Sequence, residues 1–411
     1  MSNVYRASWV LPIAAPPIRD GWVEIAEGRI VAVGTSVERP PDGQGQANSE
    51  RSAASLETVA ILPGLVNVHT HLELSWMAGR VPPSDSMGRW IRALMAARRS
   101  ELPGVAEQRR AAAAALAFAR ATGTVAVGDI GNSFVAVDVL AEAAMPAVLF
   151  HELIGFRLGP AEARARAHEG ATAVVAAVRS PVNPGLAPHA PYSVSPDLFR
   201  AVSDAASSNG LRSSVHVGES PEEVEFLMTG RGEIAETIKS LGAWNDAWAV
   251  PRCDPAGYLD SLGVLRPGLL AVHCTQLTPS ALSRVADRGC VLVSCPRSNR
   301  WVGAGDPPLD SFYQSGAAVA FGTDSLASVA DLEMFAELAA ARAISTVPAA
   351  RLLESATRRG AEALGFGAEL GTIEPGKRAD LLAVRIPADL VDVEEYLVSG
   401  VAPADVRWLV R

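Results

Sequence analysis

Residues 62–71 read LPGLVNVHTH, an apolar run that ends in two histidines separated by one residue. An apolar run of this length, entered through a proline and a glycine, indicates a buried β-strand, and Gly64 is expected to serve a tight bend at its start. His69 and His71 lie two positions apart, so their side chains project to the same side of the strand. The pair suits two bonds to one metal ion, although this spacing alone is a weak signal.

Seven further apolar runs follow, separated by longer stretches rich in alanine, arginine and glutamate. Apolar strands that alternate with helices indicate a parallel sheet covered by helices. Eight such units in sequence favour an α/β fold with a closed (β/α)8 barrel, the TIM barrel, over an open sheet. The predicted strands are 62–68, 124–130, 147–150, 185–188, 212–215, 269–272, 290–294 and 317–322.

The two ends of the chain have turn-and-strand character instead. Glycine, proline, serine and asparagine are frequent in residues 40–55, which we predict to be a loop, and residues 381–384 follow a turn as a short strand. We therefore predict three segments. Residues 1–58 and 361–411 form a small β-sandwich domain, and residues 59–360 form the barrel.

The composition excludes several classes of partner. The chain has 411 residues and a formal net charge of −9, and it contains no basic run that would bind nucleic acid or an anionic membrane surface. It shows no signal-peptide pattern and no apolar run long enough to span a bilayer. None of the four cysteines forms a C-x-x-C pair. These features predict a soluble, cytoplasmic protein with a small-molecule substrate.

The ends of the predicted strands carry most of the histidines. Five of the seven histidines lie there, as does one aspartate. The carboxyl ends of barrel strands converge on one face, where catalytic residues sit. A lone strand-end histidine is more often a hydrogen-bonded polar residue, but several imidazoles that converge with a carboxylate need a cation to hold them together. The residues are His69, His71, His189, His216, His273 and Asp324.

An acidic residue follows one of these histidines at a short spacing. Glu219 lies three residues beyond His216, just past the predicted strand. At that spacing its carboxylate could reach over a metal ion without binding it and carry a proton from water to a leaving group. The alternative is a solvated glutamate on a loop.

These residues also carry a family resemblance. In order, the motifs resemble the amidohydrolase superfamily, and within it the chlorohydrolase/deaminase (ATZ/TRZ-like) branch, which includes adenosine-type, guanine and cytosine deaminases. The resemblance covers essentially the whole chain. The motifs are residues 62–71, PHAPYS at 188–193, His216-x-x-Glu219, His273-Cys274, SCPRSN at 294–299 and GTDS at 322–325.

The resemblance implies a role for each position. Glu219 matches a proton shuttle, His273 matches a residue that contacts the attacking water or the substrate, and His189 matches a substrate-binding histidine. Asp324 would also accept a proton from the water. Homodimers are common in this branch. The implied metal ligands are His69, His71, His216 and Asp324.

The lysine content bears on the number of metal ions. Members of the superfamily that bind two metal ions share a carboxylated lysine at the end of strand four. This chain, which resembles them, has His189 near that position. The two lysines of the chain, Lys239 and Lys377, fall in a predicted helix and in a turn. We therefore expect one divalent ion, with Zn²⁺ favoured and Fe²⁺ as the alternative.

Residues 71–76, HLELSW, resemble the H-x-H-x-E-x-S stretch of aminodeoxyfutalosine deaminases, which act on a 5′-modified adenosine. The resemblance implies a hydrolytic deaminase of a purine nucleoside or related heterocycle. Glu73 could contact the base or ribose, or could instead pair with a nearby arginine. Trp76 could stack on the base, or pack in the core. The roles of His151, Glu152 and Arg157 stay open.

Three alternatives fit the pattern to different degrees. The same barrel chemistry could open a cyclic amide or hydrolyse a chlorinated triazine-like ring. A non-enzymatic scaffold is disfavoured because every expected ligand and the shuttle carboxylate are present. The small zinc deaminase fold that flips bases needs H-x-E and P-C-x-x-C, and this sequence lacks that signature.

Overall fold

Residues 2–35 and 53–410 are described by this computed structural model, and the small sheet and the barrel are built from their strands. The strands are β1 Ser2–Val10, β2 Ile18–Ala26, β3 Arg29–Thr35, β4 Ala53–Pro63, β5 Leu65–Thr70, β6 Thr124–Gly131, β7 Ala147–Leu153, β8 Val182–Pro188, β9 Arg212–Val217, β10 Leu270–His273, β11 Val291–Ser294, β12 Ala318–Phe321, β13 Leu381–Arg385 and β14 Val406–Trp408.

The helices cover the strands and join them. They are α1 Met87–Glu101, α2 Val105–Ala121, α3 Val135–Glu142, α4 Pro160–Ala177, α5 Pro196–Ser208, α6 Pro221–Thr229, α7 Glu233–Ser240, α8 Pro255–Ser261, α9 Pro279–Asp287, α10 Pro296–Trp301, α11 Leu309–Gln314, α12 Met334–Ala343, α13 Ala349–Glu354, α14 Gly360–Leu364 and α15 Val393–Val398. Short 3-10 segments occupy Leu72–Met77 and Pro403–Asp405, and a π-helical turn occupies Ser355–Arg359.

Strands β5 to β12 form the barrel. They lie side by side in chain order as one eight-stranded parallel sheet. A parallel bridge between Thr70 and Asp324 joins the end of the first strand to the segment after the last. All six residues of β5 are buried, as expected for a strand with helices on one side and the barrel interior on the other. The predicted (β/α)8 barrel is confirmed.

Closure of the barrel depends on a close approach at Gly322. The backbone carbonyl of His69 accepts hydrogen bonds from the backbone N–H groups of Thr323, at 3.1 Å, and Asp324, at 3.0 Å. A Cβ atom at Gly322 would lie 2.7 Å from both the Cβ and the carbonyl oxygen of His69. Glycine is therefore needed there for β12 to pack against β5.

The two chain ends form a separate six-stranded sheet, in the order β14-β13-β4-β1-β2-β3. This confirms the predicted β domain. The domain limits at 58/59 and 360/361 remain a proposal. Helix α14, which contains the second limit, packs against the barrel strands β5, β6 and β12.

The predicted boundaries need correction at several places. The strand predicted over 62–68 is two strands, because residues 62 and 63 pair with β13 in the small sheet and the chain turns at Gly64 into β5. A Cβ atom at Gly64 would meet Val125 at 2.7 Å. Residues 40–52 of the predicted loop lie outside the described residues, and residues 53–55 begin β4 rather than ending a loop.

Two corrections affect the site. Strand β7 continues through His151 and Glu152, which belong to the strand rather than following it. Asp324 lies three residues after the end of β12 rather than at its last position. Within residues 2–35 and 53–410, no helix combines the length and the apolar character needed to cross a membrane.

We expect Gly322→Ala to destabilise the fold by about 1–3 kcal/mol, because the added methyl group forces β12 away from His69. Denaturant unfolding of the wild type and the variant measures the change. Gly104→Ala is the matched control, since a Cβ atom there meets nothing within 4 Å. Equal unfolding midpoints for the two variants would contradict the role given to Gly322.

Candidate active site

The predicted metal ligands converge at the carboxyl end of the barrel. The Nε2 atom of His69 lies 3.2 Å from Nε2 of His71 and 3.2 Å from Nε2 of His216. The Oδ1 atom of Asp324 lies 3.4 Å from Nε2 of His71 and 3.8 Å from Nε2 of His69. Nitrogen ligands of a tetrahedral zinc ion, each about 2.0–2.1 Å from the metal, stand about 3.3 Å apart. The spacing of the imidazole nitrogens fits such a centre.

The imidazoles of the cluster are neutral, which suits the binding of a cation. The Nδ1–H group of His216 donates to the backbone carbonyl of His189 at 3.0 Å, so Nε2 of His216 presents a lone pair to the cluster. Burial, and then the charge of neighbouring groups, lowers the pKa of His71 to about 3 and that of His216 to about 4. Burial holds the pKa of His69 well below its usual range. Neutral imidazoles that share a buried space can all act as metal ligands.

Asp324 is held by hydrogen bonds on both of its carboxylate oxygens. The Ser298 hydroxyl donates to Oδ2 at 2.6 Å, and the backbone N–H of Ser325 donates to Oδ1 at 2.7 Å. Burial raises the pKa of Asp324, while the Ser298 bond opposes that rise. The backbone of Asp324 has φ 63°, a left-handed conformation that non-glycine residues adopt rarely and mostly where the surrounding structure imposes it.

Glu219 stands beside the cluster on a fixed loop. The buried carboxylate of Glu223 accepts backbone N–H groups from Gly218, at 2.9 Å, and from Glu219, at 3.0 Å, at the start of α6. The Glu219 side chain points back to the site, with Oε1 3.6 Å from Nε2 of His273. Burial, followed by the charge of Asp324, raises the pKa of Glu219 well above its usual range.

His273 completes this group from the end of β10. The Asn299 amide donates to Nδ1 of His273 at 3.1 Å, which leaves the ring hydrogen on Nε2, facing Glu219. The His273 backbone has φ 72°. Burial lowers its pKa well below the usual range. His273 is thus a neutral hydrogen-bond donor near the predicted ligands.

A cavity of about 480 Å³ opens above these residues. Its polar part contains residues of the predicted site, and its walls are mostly apolar side chains from α1, from α7 and from the segment after β7. Predicted site residues in the lining are His71, Glu73, His189, His216, Glu219, His273 and Asp324. A concave site with an apolar wall and a few convergent polar groups is the usual form of a small-molecule site.

The predicted substrate contacts lie in different places. His189 and Glu73 line the cavity, but the Glu73 carboxylate accepts hydrogen bonds from the backbone of Asn132 and from Ser133 rather than from an arginine. Trp76 is absent from the lining and packs with Leu74 and other apolar side chains, so the structure does not bring it to the cavity. Trp90, from α1, lies in the cavity wall instead.

Several residues without a predicted role belong to the site. The Glu152 side chain lines the cavity, its Oε2 accepts from the Asn132 amide at 2.8 Å, and its Oε1 has no hydrogen-bond partner in the described part of the chain. Burial raises the pKa of Glu152 to about 7. Ser298 contacts Asp324, and Asn299 contacts His273. Ser298 and Asn299 belong to the SCPRSN motif, which could have predicted their place in the site. No motif in the sequence pointed to Asn132.

Comparison with known proteins places the chain in a family. The model described as "Amidohydrolase family" matches residues 60–401, which is most of the chain. This chain belongs to the amidohydrolase family. The resemblance of its motifs to that superfamily is thereby confirmed.

The relatives of this amidohydrolase include nucleoside deaminases. It is 28% identical over 417 residues to the 5-methylthioadenosine/S-adenosylhomocysteine deaminase of Moorella thermoacetica, with 98% of this chain and 90% of the relative covered. It is 33% identical over 351 residues to the aminodeoxyfutalosine deaminase of Deinococcus radiodurans, with 82% and 80% covered.

Solved structures of deaminases have folds similar to that of this chain. An adenosine deaminase from Xanthomonas campestris with bound zinc has a TM-score of 0.79 and 28% identity, covering 98% of this chain and 90% of that one. The aminofutalosine deaminase of Helicobacter pylori in complex with methylthio-coformycin has a TM-score of 0.83 at 24% identity, covering 96% and 95%. At that identity the second comparison supports the fold alone.

We expect Ser298→Ala to weaken metal binding by about 10- to 100-fold, because the hydroxyl that orients Asp324 is lost while all four predicted ligands remain. Competition for Zn²⁺ with a chelator of known affinity measures the change. Ser283→Ala is the control, since Ser283 is exposed and its hydroxyl donates to the Pro279 carbonyl. Unchanged zinc affinity in Ser298→Ala would contradict the role given to Ser298.

Proposed function

We propose that this amidohydrolase is a metal-dependent hydrolytic deaminase that releases ammonia from an adenosine-type nucleoside, with a 5′-modified adenosine such as aminodeoxyfutalosine favoured. The observation that carries the proposal is the position of Glu219. Its carboxyl group lies within 4.8 Å of ligand atoms of His273 and Asp324, beside the three convergent imidazoles. This arrangement provides a proton donor next to a metal centre at the floor of a cavity.

The proposed metal ligands are His69, His71, His216 and Asp324, and we propose one ion, Zn²⁺ in preference to Fe²⁺. A bound divalent ion lowers the pKa of a coordinated water from about 15.7 toward about 7. Two observations support a single ion. The end of β8 presents His189 where a binuclear centre would need a lysine, and Lys377 donates to the backbone carbonyl of Gly367, in the tail.

The side chains of the site supply the proton transfers. In its protonated form, Glu219 gives a proton to the ring nitrogen as water adds to the carbon that bears the amino group. The Asp324 carboxylate accepts one proton from that water, and His273 donates a hydrogen bond from Nε2 to the added oxygen. The carbon–nitrogen bond then breaks. The amino group leaves as ammonia with the proton from Asp324, and the remaining hydroxyl proton returns to Glu219 as the carbonyl forms.

His189 and Glu73 are proposed to bind the substrate, with Trp90 as a base-stacking side chain. Trp76 stays a weaker proposal, because it packs among apolar residues. We also propose a homodimer in the cytoplasm, on the resemblance to this branch and on the composition. Hydrolysis of a cyclic amide or a chlorinated ring is the second candidate, since these reactions also require an activated water and a shuttle carboxylate.

A substrate panel tests the proposed reaction. Purified zinc-loaded protein is incubated with adenosine, 5′-methylthioadenosine, adenine, guanine, cytosine, a chlorotriazine and a cyclic amide, and ammonia, chloride and ring opening are measured. We expect ammonia release to be fastest with the 5′-substituted adenosine. Ammonia from the free bases alone, or turnover of only the triazine or the amide, would refute the proposed function.

Metal analysis of the same sample tests the proposed metal count. We expect one tightly bound ion per chain, because His69, His71, His216 and Asp324 provide one set of ligands. Elemental analysis after exhaustive dialysis measures the ratio of metal to protein. A ratio of two ions per chain would contradict a mononuclear centre.

Glu219→Gln should reduce kcat by about 10²- to 10⁴-fold, because the amide cannot give and recover a proton. Its zinc content should match that of the wild type, since no proposed ligand changes. Glu225→Gln, at an exposed position of the following helix α6, is the control and should keep normal turnover. Near-normal deamination by Glu219→Gln would remove this residue from the mechanism.

A further inference from the structure

Two side chains that support the proposed metal centre come from one short helix. Ser298 and Asn299 are consecutive buried residues of α10, which has six residues. The Ser298 hydroxyl donates to Asp324, and the Asn299 amide donates to His273. So short a helix is held in place by its contacts with the rest of the fold rather than by its own hydrogen bonds. The contacts that fix α10 therefore govern how Asp324 and His273 are supported.

Arg297, the residue before Ser298, joins the first turn of α10 to helix α12. Its Nε donates to Oε1 of Glu337 at 2.7 Å, and its backbone N–H donates to Oε2 of the same carboxylate at 3.2 Å. The backbone N–H groups in the first turn of a helix have no partner within the helix. Glu337 therefore holds both the side chain of Arg297 and one of the N–H groups at the start of α10.

The far edge of the Arg297 guanidinium contacts the segment that follows Asp324. One of its terminal NH2 groups donates to Oδ1 of Asp331 at 2.7 Å, and the other donates to the backbone carbonyl of Asp331 at 2.7 Å. Asp331 lies in the connection between β12 and α12, which also carries Asp324. The planar guanidinium thus links α10, α12 and this connection in one fixed geometry.

Burial separates this ion pair from an exposed one on the same helix. The Glu337 side chain is 0% exposed, and that of Arg297 is 18% exposed. Arg300, also in α10, pairs instead with Asp306, and those side chains are 47% and 50% exposed. Exposed ion pairs contribute little, whereas the loss of one partner of a buried pair leaves the other charge uncompensated. Of these two pairs, Arg297–Glu337 is therefore the one that can set the position of α10.

We propose that Glu337 is a positioning residue of the metal centre. Through Arg297 it fixes α10, so that the Ser298 hydroxyl stays within hydrogen-bond distance of the Asp324 carboxylate. Glu337 itself does not line the cavity and is not one of the proposed ligands. The inference rests on Asp324 as a proposed ligand, and it does not depend on the identity of the substrate.

Glu337→Gln tests the proposal, because it keeps the size of the side chain and removes its charge. We expect the affinity for Zn²⁺ to fall by about tenfold, since the support of a ligating carboxylate is loosened while every proposed ligand remains. Competition between the protein and a chelator of known affinity measures the change. Asp306→Asn is the matched control, because it breaks the exposed ion pair of the same helix and should keep the wild-type affinity.

A double-variant cycle with Ser298→Ala separates positioning from a general loss of stability. If Glu337 acts through the Ser298 hydroxyl, its replacement has little left to disturb once that hydroxyl is gone. We expect Glu337→Gln to lower zinc affinity by less than about twofold in the Ser298→Ala background, because residues that act through one contact are not additive. A general loosening of the fold would lower the affinity by the same factor in both backgrounds.

Arg297→Lys supplies a second cycle if Glu337→Gln does not fold. Its ammonium group keeps the charge but cannot span Glu337 and Asp331. Zinc affinity should therefore fall when Arg297→Lys is made in the wild type, and should change little when it is added to Ser298→Ala. Circular dichroism checks that each variant is folded.

Two results would overturn the proposal: wild-type zinc affinity in folded Glu337→Gln, or an equal loss of affinity in both backgrounds. Failure of the proposed function gives a different result. In that case no compound of the substrate panel releases ammonia, while the zinc measurements, which need no turnover, still report on Glu337.

Discussion

The pair of hydrogen bonds from Thr323 and Asp324 to the carbonyl of His69 is the contact on which the site depends. It closes the barrel by joining the first strand to the segment after the last. It also places the carboxylate of Asp324 beside imidazoles that come from the opposite end of the barrel sequence. Without this closure the predicted ligands would belong to two separated edges of an open sheet. Closure of the barrel and convergence of the proposed metal ligands therefore depend on the same contact. The small size of Gly322 permits that contact.

Burial gives the converged side chains their chemical character. In a low-dielectric site a charged imidazole is costly, so His69, His71 and His216 stay neutral and offer lone pairs to a cation. The same burial raises the pKa of Glu219 well above its usual range. The supporting contacts, such as Ser298 to Asp324, fix the geometry of these groups. Burial thus has a matching effect on the proposed ligands and on the proposed proton donor: it disfavours charge on both.

The cavity divides into a part that suits the reaction and a part that suits recognition. Strand ends supply the proposed reacting groups, while α1, α7 and the segment after β7 supply the apolar wall. Loops and helices above a barrel can change without disturbing the strands, which is why this fold serves many substrates. The relatives that deaminate different adenosine derivatives agree with such a division.

The amino-acid sequence alone determined the barrel, the two-ended β domain and the family, because apolar runs mark buried strands and the strand-end histidines form specific motifs. It did not determine where strands end, since that depends on pairing: Pro63 joined the small sheet, and β7 continued through Glu152. Only the tertiary structure showed that Trp76 packs in the core, that Ser298 holds Asp324 and that Asn299 contacts His273. Those facts depend on side chains far apart in the chain, and local patterns of residues carry no record of such contacts.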